Sequence, residues 1–191
     1  MRHGWLAAAL LAAGCASTEA APAAEPEAAA WAAVAGPGPE HAFLAAQAGT
    51  WDAAGKIWAS PGEPPLELPG KARNALILDG RYLVQDYESE FMGHVFRGHG
   101  IYGFDRIRGR YVGVWTDSES TIMMATEGTA DASGKAVTRS GAVTLPGGTV
   151  RRVREVMTLL GPDEMLYEHW SADGAAPERK VIEVRYRRRS P

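Results

Sequence analysis

Two groupings in this sequence carry chemistry by residue type and spacing: histidine beside tyrosine, and glutamate within reach of arginine. His94 and His99 stand five residues apart on what reads as one strand, so they point to opposite faces and do not share a metal. His169 lies two residues after Tyr167, on the same strand face, and is the candidate axial ligand if a cofactor sits inside the fold; the alternative is a hydrogen-bonded strand histidine. Glu155 shares a face with Val153 and Met157, and Glu183 shares one with Val181 and Arg185. A buried glutamate must be paired or neutralised, so an ion pair of Glu155 or Glu183 with Arg154 or Arg185 is expected, in a structural role. No stretch has the pattern of a nucleophile elbow, a phosphate loop, a Cys/His zinc set or a dinucleotide fingerprint. No catalytic residue, metal or cofactor is assigned on this basis, and binding is favoured over catalysis.

Composition narrows the partners. The 191 residues carry a formal net charge of -3 and a sequence pI near 6.0, without the strongly basic balance of a nucleic-acid binder. The single cysteine, Cys15, excludes an internal disulfide and requires its own explanation.

That explanation lies at the N-terminus. Met1-Arg2-His3 is basic, and the apolar run Gly4 to Ala13 is far shorter than the roughly 20 residues that span a bilayer, so residues 1–14 read as a signal peptide. Leu11-Ala12-Ala13-Gly14-Cys15 resembles the lipobox at which bacterial lipoproteins are lipidated and cut, with Ala12 where leucine is commonest. The expected result is a lipid anchor on Cys15. Ala16 stands where lipoproteins retained at the inner membrane carry aspartate, so the expected location is the cell envelope, at the outer membrane facing the periplasm. Residues 15–38, rich in Ala, Pro and Glu, read as a disordered tether in which Glu27 to Ala35 forms at most a transient helix.

The elements that must position the candidate residues follow in residues 39–188. Pro39 to Gln47 has short helical spacing, and Gly49-Thr50-Trp51 then opens about ten runs of period-two alternation separated by turn residues. Asp79-Gly80 is read as a type I′ turn between Ala72 to Leu78 and Tyr82 to Phe91. Short connections throughout describe an all-β, up-and-down antiparallel barrel with a short N-terminal helix capping one end, because closure removes both exposed edges of the meander.

Alternation also selects an inner face. Asp86, Glu88 and Glu90 mark the outside of one strand, which turns Leu83, Gln85, Tyr87, Ser89 and Phe91 inward; the next strand offers Phe96, Gly98, Gly100, Tyr102 and Phe104. Gly98, Gly100 and Gly113 leave room for either a cavity or tight curvature. Tyr111, Gly113, Trp115 and Asp117 share a face, with Asp117 near the mouth as a turn cap or as a polar ligand anchor. Met123, Met124, Met157 and Met165 offer an adaptable lining or ordinary core filling.

Several motifs in register carry a family resemblance: Pro37-Gly38-Pro39-Glu40-His41, Gly49-Thr50-Trp51, Gly80-Arg81-Tyr82-Leu83-Val84-Gln85, Phe91-Met92-Gly93, Trp115-Thr116-Asp117-Ser118 and Glu127-Gly128-Thr129. Together they resemble the calycin-like bacterial domain of unknown function 1579 family, over about residues 37–187. The resemblance implies a calycin or lipocalin-like barrel and no settled activity. The Gly-x-Trp entry is similar to that of lipocalins, where the tryptophan packs on an arginine of the last strand; this implies Trp51 closing the barrel with Arg185 or Arg187. Nitrobindin-like calycins hold haem through one histidine, which would make His169 the ligand of an alternative, haem-binding barrel.

The expected function is a membrane-anchored envelope lipoprotein whose barrel holds a small, mainly apolar ligand against Gln85, Tyr87, Phe96, Tyr102, Trp115, Asp117, Met157, Tyr167 and His169. The other alternative is a solid-core structural lipoprotein that meets an envelope partner through its outer surface.

Overall fold

The computed structural model describes residues 24–91 and 93–190; the signal-peptide segment, Cys15 and Met92 lie outside the described residues. α1, Ala24–Val34, falls within the stretch expected to be a tether. Its alanines have the highest helix propensity. The chain divides near Ala33 and Val34 into two compact units, and the second contains the barrel.

Within that second unit, α2 (His41–Ala46) precedes β1 (Gly49–Ile57), β2 (Leu66–Ile77), β3 (Tyr82–Phe91), β4 (His94–Asp105) and β5 (Arg110–Asp117). The chain continues through β6 (Met124–Ala130), β7 (Ala136–Thr144), β8 (Val150–Gly161), β9 (Glu164–Asp173) and β10 (Arg179–Arg188). Among the described residues these ten strands form a closed antiparallel barrel in which each strand pairs with its sequence neighbours. β1 seals it against β10 from Trp51 opposite Arg188 to Ile57 opposite Ile182. Register shifts in β10 between Lys180 and Ile182, and in β8 between Leu159 and Gly161, bend the wall.

Helix α2 stops one end. Phe43 and Leu44 are buried there, and the Phe43 ring meets Tyr111 edge-on at 5.6 Å. Trp51, 1 % exposed, donates its indole N–H to the Gln47 carbonyl at 2.9 Å, and Asn74 donates to the same oxygen at 2.9 Å. Glycine is required at Gly49, where φ is +131° and a Cβ would run into the Arg188 guanidinium.

The arginine that packs on Trp51 is Arg188, not Arg185 or Arg187. Its guanidinium lies 4.1 Å from the Trp51 ring centroid and donates to the carbonyls of Ala48 at 2.6 Å and Ala46 at 3.0 Å. It therefore satisfies carbonyls left open at the end of α2, where a positive charge is also favoured by the helix dipole. Arg185 is on the outside, paired with Glu164 at 2.6 Å. The register explains the correction: Trp51 pairs directly with Arg188, whereas Arg185 pairs with Ala54.

The turn expected at Asp79-Gly80 extends one residue further back. Leu78 and Asp79 take the positive φ angles, 50° and 57°, and the Gly80 N–H donates to the Ile77 carbonyl at 3.2 Å. The Arg81 N–H likewise donates to the Leu78 carbonyl at 3.3 Å across Asp79 and Gly80, whose φ angles are 57° and 83°, so the Asp79-Gly80 turn is present and is overlapped by a second turn centred on Leu78-Asp79.

Candidate functional site

The barrel interior opens at the end opposite α2 into a cavity of about 620 Å³. Volumes of this size suit small-molecule sites, which run from about 300 to 1,000 Å³. Strand alternation places its wall. From β3 come Gln85 and Tyr87; from β4, Phe96 and Tyr102; from β5, Trp115 and Asp117. Met157 of β8 and Tyr167 and His169 of β9 complete the set of nine named from the sequence, and all nine line this one cavity.

The upper wall is apolar on most sides, with His94, Asp117, Glu119, Ser120 and Arg151 as its polar part. Ile57, Leu68, Ile122, Met124, Leu145 and Ile182 surround the entrance with Phe96 and Trp115. Asp117 stands at the rim and accepts from the Trp115 indole N–H at 3.2 Å and from the Glu119 backbone N–H at 3.0 Å, so it caps a turn while lining the cavity. Met124 and Met157 are lining residues; Met165 is fully buried in the core and Met123 is exposed.

Gly98, Gly100 and Gly113 are what keep the space open. A Cβ at Gly98 would overlap the Trp115 indole, and one at Gly100 or Gly113 would fall within 2.5 Å or 2.6 Å of the Tyr102 ring or hydroxyl. Both aromatic side chains thus lie flat against strands that have no side chain beneath them, instead of crossing the interior.

Deeper inside is a polar group that sequence reading grasped only in part. Arg139 and Glu155 meet at 3.3 Å with side-chain exposures of 6 % and 3 %. Glu155 also accepts from Thr126 Oγ1 at 2.8 Å and from the Tyr167 hydroxyl at 2.7 Å. The Tyr167 oxygen is in turn 3.3 Å from His169 Nδ1, and the Arg139 guanidinium rests over the Tyr102 ring at 4.6 Å. Arg139 Nε is buried without a hydrogen-bond partner.

Burial alone would raise the Glu155 carboxyl, but the Arg139 charge, the hydrogen bonds from Tyr167 and Thr126 and the nearby His169 outweigh it, so Glu155 is held below the usual carboxylate range. Burial lowers His169 and leaves its imidazole neutral near neutral pH, Glu155 opposing this and Arg151 adding to it. Burial, with the Glu155 charge beside it, pushes the Tyr167 hydroxyl well above its ordinary value.

The buried ion pair therefore joins Glu155 to Arg139, not to Arg154 or Arg185. Arg154 is on the outer face with Glu178 at 2.6 Å, and Glu183 is paired with Lys180 at 2.7 Å near the surface. Glu183 and Arg185 do share a face, but it is the outer one; Ile182, Val184 and Tyr186 point inward. Arg139 was missed because a charge inside a strand is first assigned to solvent. The available signal was its place on one alternating face with Val137 and Gly141, where Val137 is 1 % exposed.

Of the other histidines, His99 is outside, 2.8 Å from Asp86, and His94 stands at the rim, 3.4 Å from Glu119. Among the described residues no three His, Cys, Asp or Glu side chains converge as metal ligands.

The barrel has counterparts among solved structures. It is similar to the crystal structure of Rv2717c from M. tuberculosis, with a TM-score of 0.60 and 14% identity over 80% of this chain and 99% of that one. It also matches a redesigned β-barrel, at a TM-score of 0.43 and 12% identity over 78% of this chain and 96% of that chain, a likeness on which nothing further rests. No curated protein matches the sequence. Residues 36–188 match the family described as "Protein of unknown function (DUF1579)", and the chain belongs to that family.

Proposed function

We propose that this protein is a binding protein that holds a small, mainly apolar molecule inside its barrel, with no chemical step of its own. The observation that carries the reading is the cavity of about 620 Å³, with a largely apolar wall and with Arg139, Tyr167 and His169 lining its base in front of the buried Glu155. An apolar wall supplies affinity through area removed from water, and a few fixed polar groups at the base supply orientation. The lipobox-like segment ending at Cys15 supports a membrane anchor and an envelope location for the same molecule. Native mass spectrometry of the purified protein, with displacement of a lipophilic fluorescent probe, tests this. The expected result is one ligand per chain; a barrel that takes up neither ligand nor probe would refute it.

A second reading, haem held by His169, has one observation in its favour. His169 is a cavity histidine whose Nδ1 is engaged by Tyr167, the arrangement in which the distal nitrogen is oriented for a metal. A Soret band on haem addition that disappears in His169→Ala would support it, and the absence of a band would remove it.

A further inference from the structure

The hydrogen bonds running from Glu155 to His169 have a fixed direction. Glu155 is ionised opposite Arg139 and can only accept. The Tyr167 hydroxyl has one proton and gives it to Glu155 Oε1 at 2.7 Å. Its oxygen then meets His169 Nδ1, 3.3 Å away, as an acceptor, so the imidazole proton resides on Nδ1. A neutral imidazole has one such proton, which leaves Nε2 with a lone pair. That nitrogen is at the far end of an inward-pointing side chain that lines the cavity, and among the described residues it has no hydrogen-bond partner.

We propose that the His169 Nε2 lone pair selects the head group of the ligand: the barrel takes an apolar molecule bearing a hydroxyl, an alcohol or a phenol, whose O–H is donated to Nε2. This rests on the cavity-binding reading above and narrows it to a chemical class. An ether or hydrocarbon of the same shape leaves Nε2 unsatisfied in a partly dehydrated site. A carboxylate has no proton to donate to Nε2, and the two guanidiniums that line the cavity are already engaged, Arg139 with Glu155 at 3.3 Å and Arg151 with Asp173 at 2.6 Å. Tyr167 and Glu155 act as positioning residues, holding the imidazole tautomer from behind.

The test compares a para-alkylphenol with its methyl ether, which differ in the O–H donor, by calorimetric titration of the purified full-length protein at about pH 8, where histidine is neutral and the phenol keeps its proton. The phenol is expected to bind about tenfold more tightly, the usual order for one hydrogen bond to a partly buried partner. In His169→Phe the ratio of phenol to ether affinity should fall to about one, whatever change in affinity the two probes share. Tyr167→Phe retains His169 but frees its tautomer, and should lower the ratio without abolishing ether binding. Equal binding of the two probes to the native protein overturns the inference and leaves the cavity reading intact. An unchanged ratio in His169→Phe also overturns it. If neither probe binds, both readings fail together.

Discussion

Arg139 and Glu155 face each other across β7 and β8, directly opposite in register, with their charged atoms 3.3 Å apart inside the barrel. Removing one partner leaves the other charge buried and unpaired. Arg139→Met is therefore expected to cost about 3–5 kcal/mol, whereas Arg139→Met combined with Glu155→Met should recover much of that loss. Urea denaturation of the two variants beside the native protein measures the difference. Equal destabilisation in both would show that the charges are not coupled.

Arg188 and Arg185 should separate cleanly. Arg188→Ala removes the cation over Trp51 and the donors to Ala46 and Ala48, and is expected to cost about 2–3 kcal/mol. Arg185→Ala touches an exposed pair with Glu164 and should stay within about 0.5 kcal/mol. Denaturation midpoints with unchanged slopes provide the comparison.

Acid should weaken the fold in two stages. His169 is depressed from its ordinary 6.5 and Glu155 from its ordinary 4.5, so in each window the unfolded chain binds more protons than the folded one. The linkage slope is then positive: stability is fully present above about 6.5, falls first through His169 as pH drops, and falls again below about 4.5 through Glu155. Denaturant melts at stepped pH values should show both losses, and His169→Gln should remove the upper one. A native profile flat from neutral pH down to about 4.5 would contradict the placement of His169.

Gly98→Ala should close part of the cavity. Its new Cβ overlaps the Trp115 indole, which must lift off Gly98 into the cavity. Probe affinity is expected to fall about tenfold or more, with a shift in tryptophan emission, because one displaced indole removes much of the apolar wall. Unchanged affinity would mean that the ring is not what frames the entrance.

The barrel itself was readable because strand alternation and turn residues are local signals, and so was most of its lining. On β3 the outward row of Asp86, Glu88 and Glu90 fixed the face, and Gln85 and Tyr87 followed. On β10 the row of Glu183 and Arg185 marks the outside in the same way, and Ile182, Val184 and Tyr186 fill the interior, so an interior ion pair expected there falls on the wrong face. Partners across strands were the least legible. Arg139 with Glu155, and Trp51 with Arg188, depend on register between segments 16 and 137 residues apart, and a slip of one position exchanges the faces. Whether the inside was hollow depended on how Trp115 and Tyr102 fold over Gly98, Gly100 and Gly113, a rotamer choice without a sequence signature.

The proposed anchor is tested separately. Cys15→Ser removes the thiol that the lipobox-like segment presents, and the protein should move from the membrane fraction to the soluble fraction of its native cells. Unchanged fractionation would refute the anchor.

The stoichiometry of lipophilic-probe binding decides whether the barrel is a container. A titration of the purified native protein should saturate at one probe per chain, and Val153→Trp, which fills the lining from β8, should abolish the signal while the fold is retained by circular dichroism. A native protein that binds no probe, or a filled variant that binds as well as the native one, would contradict the account.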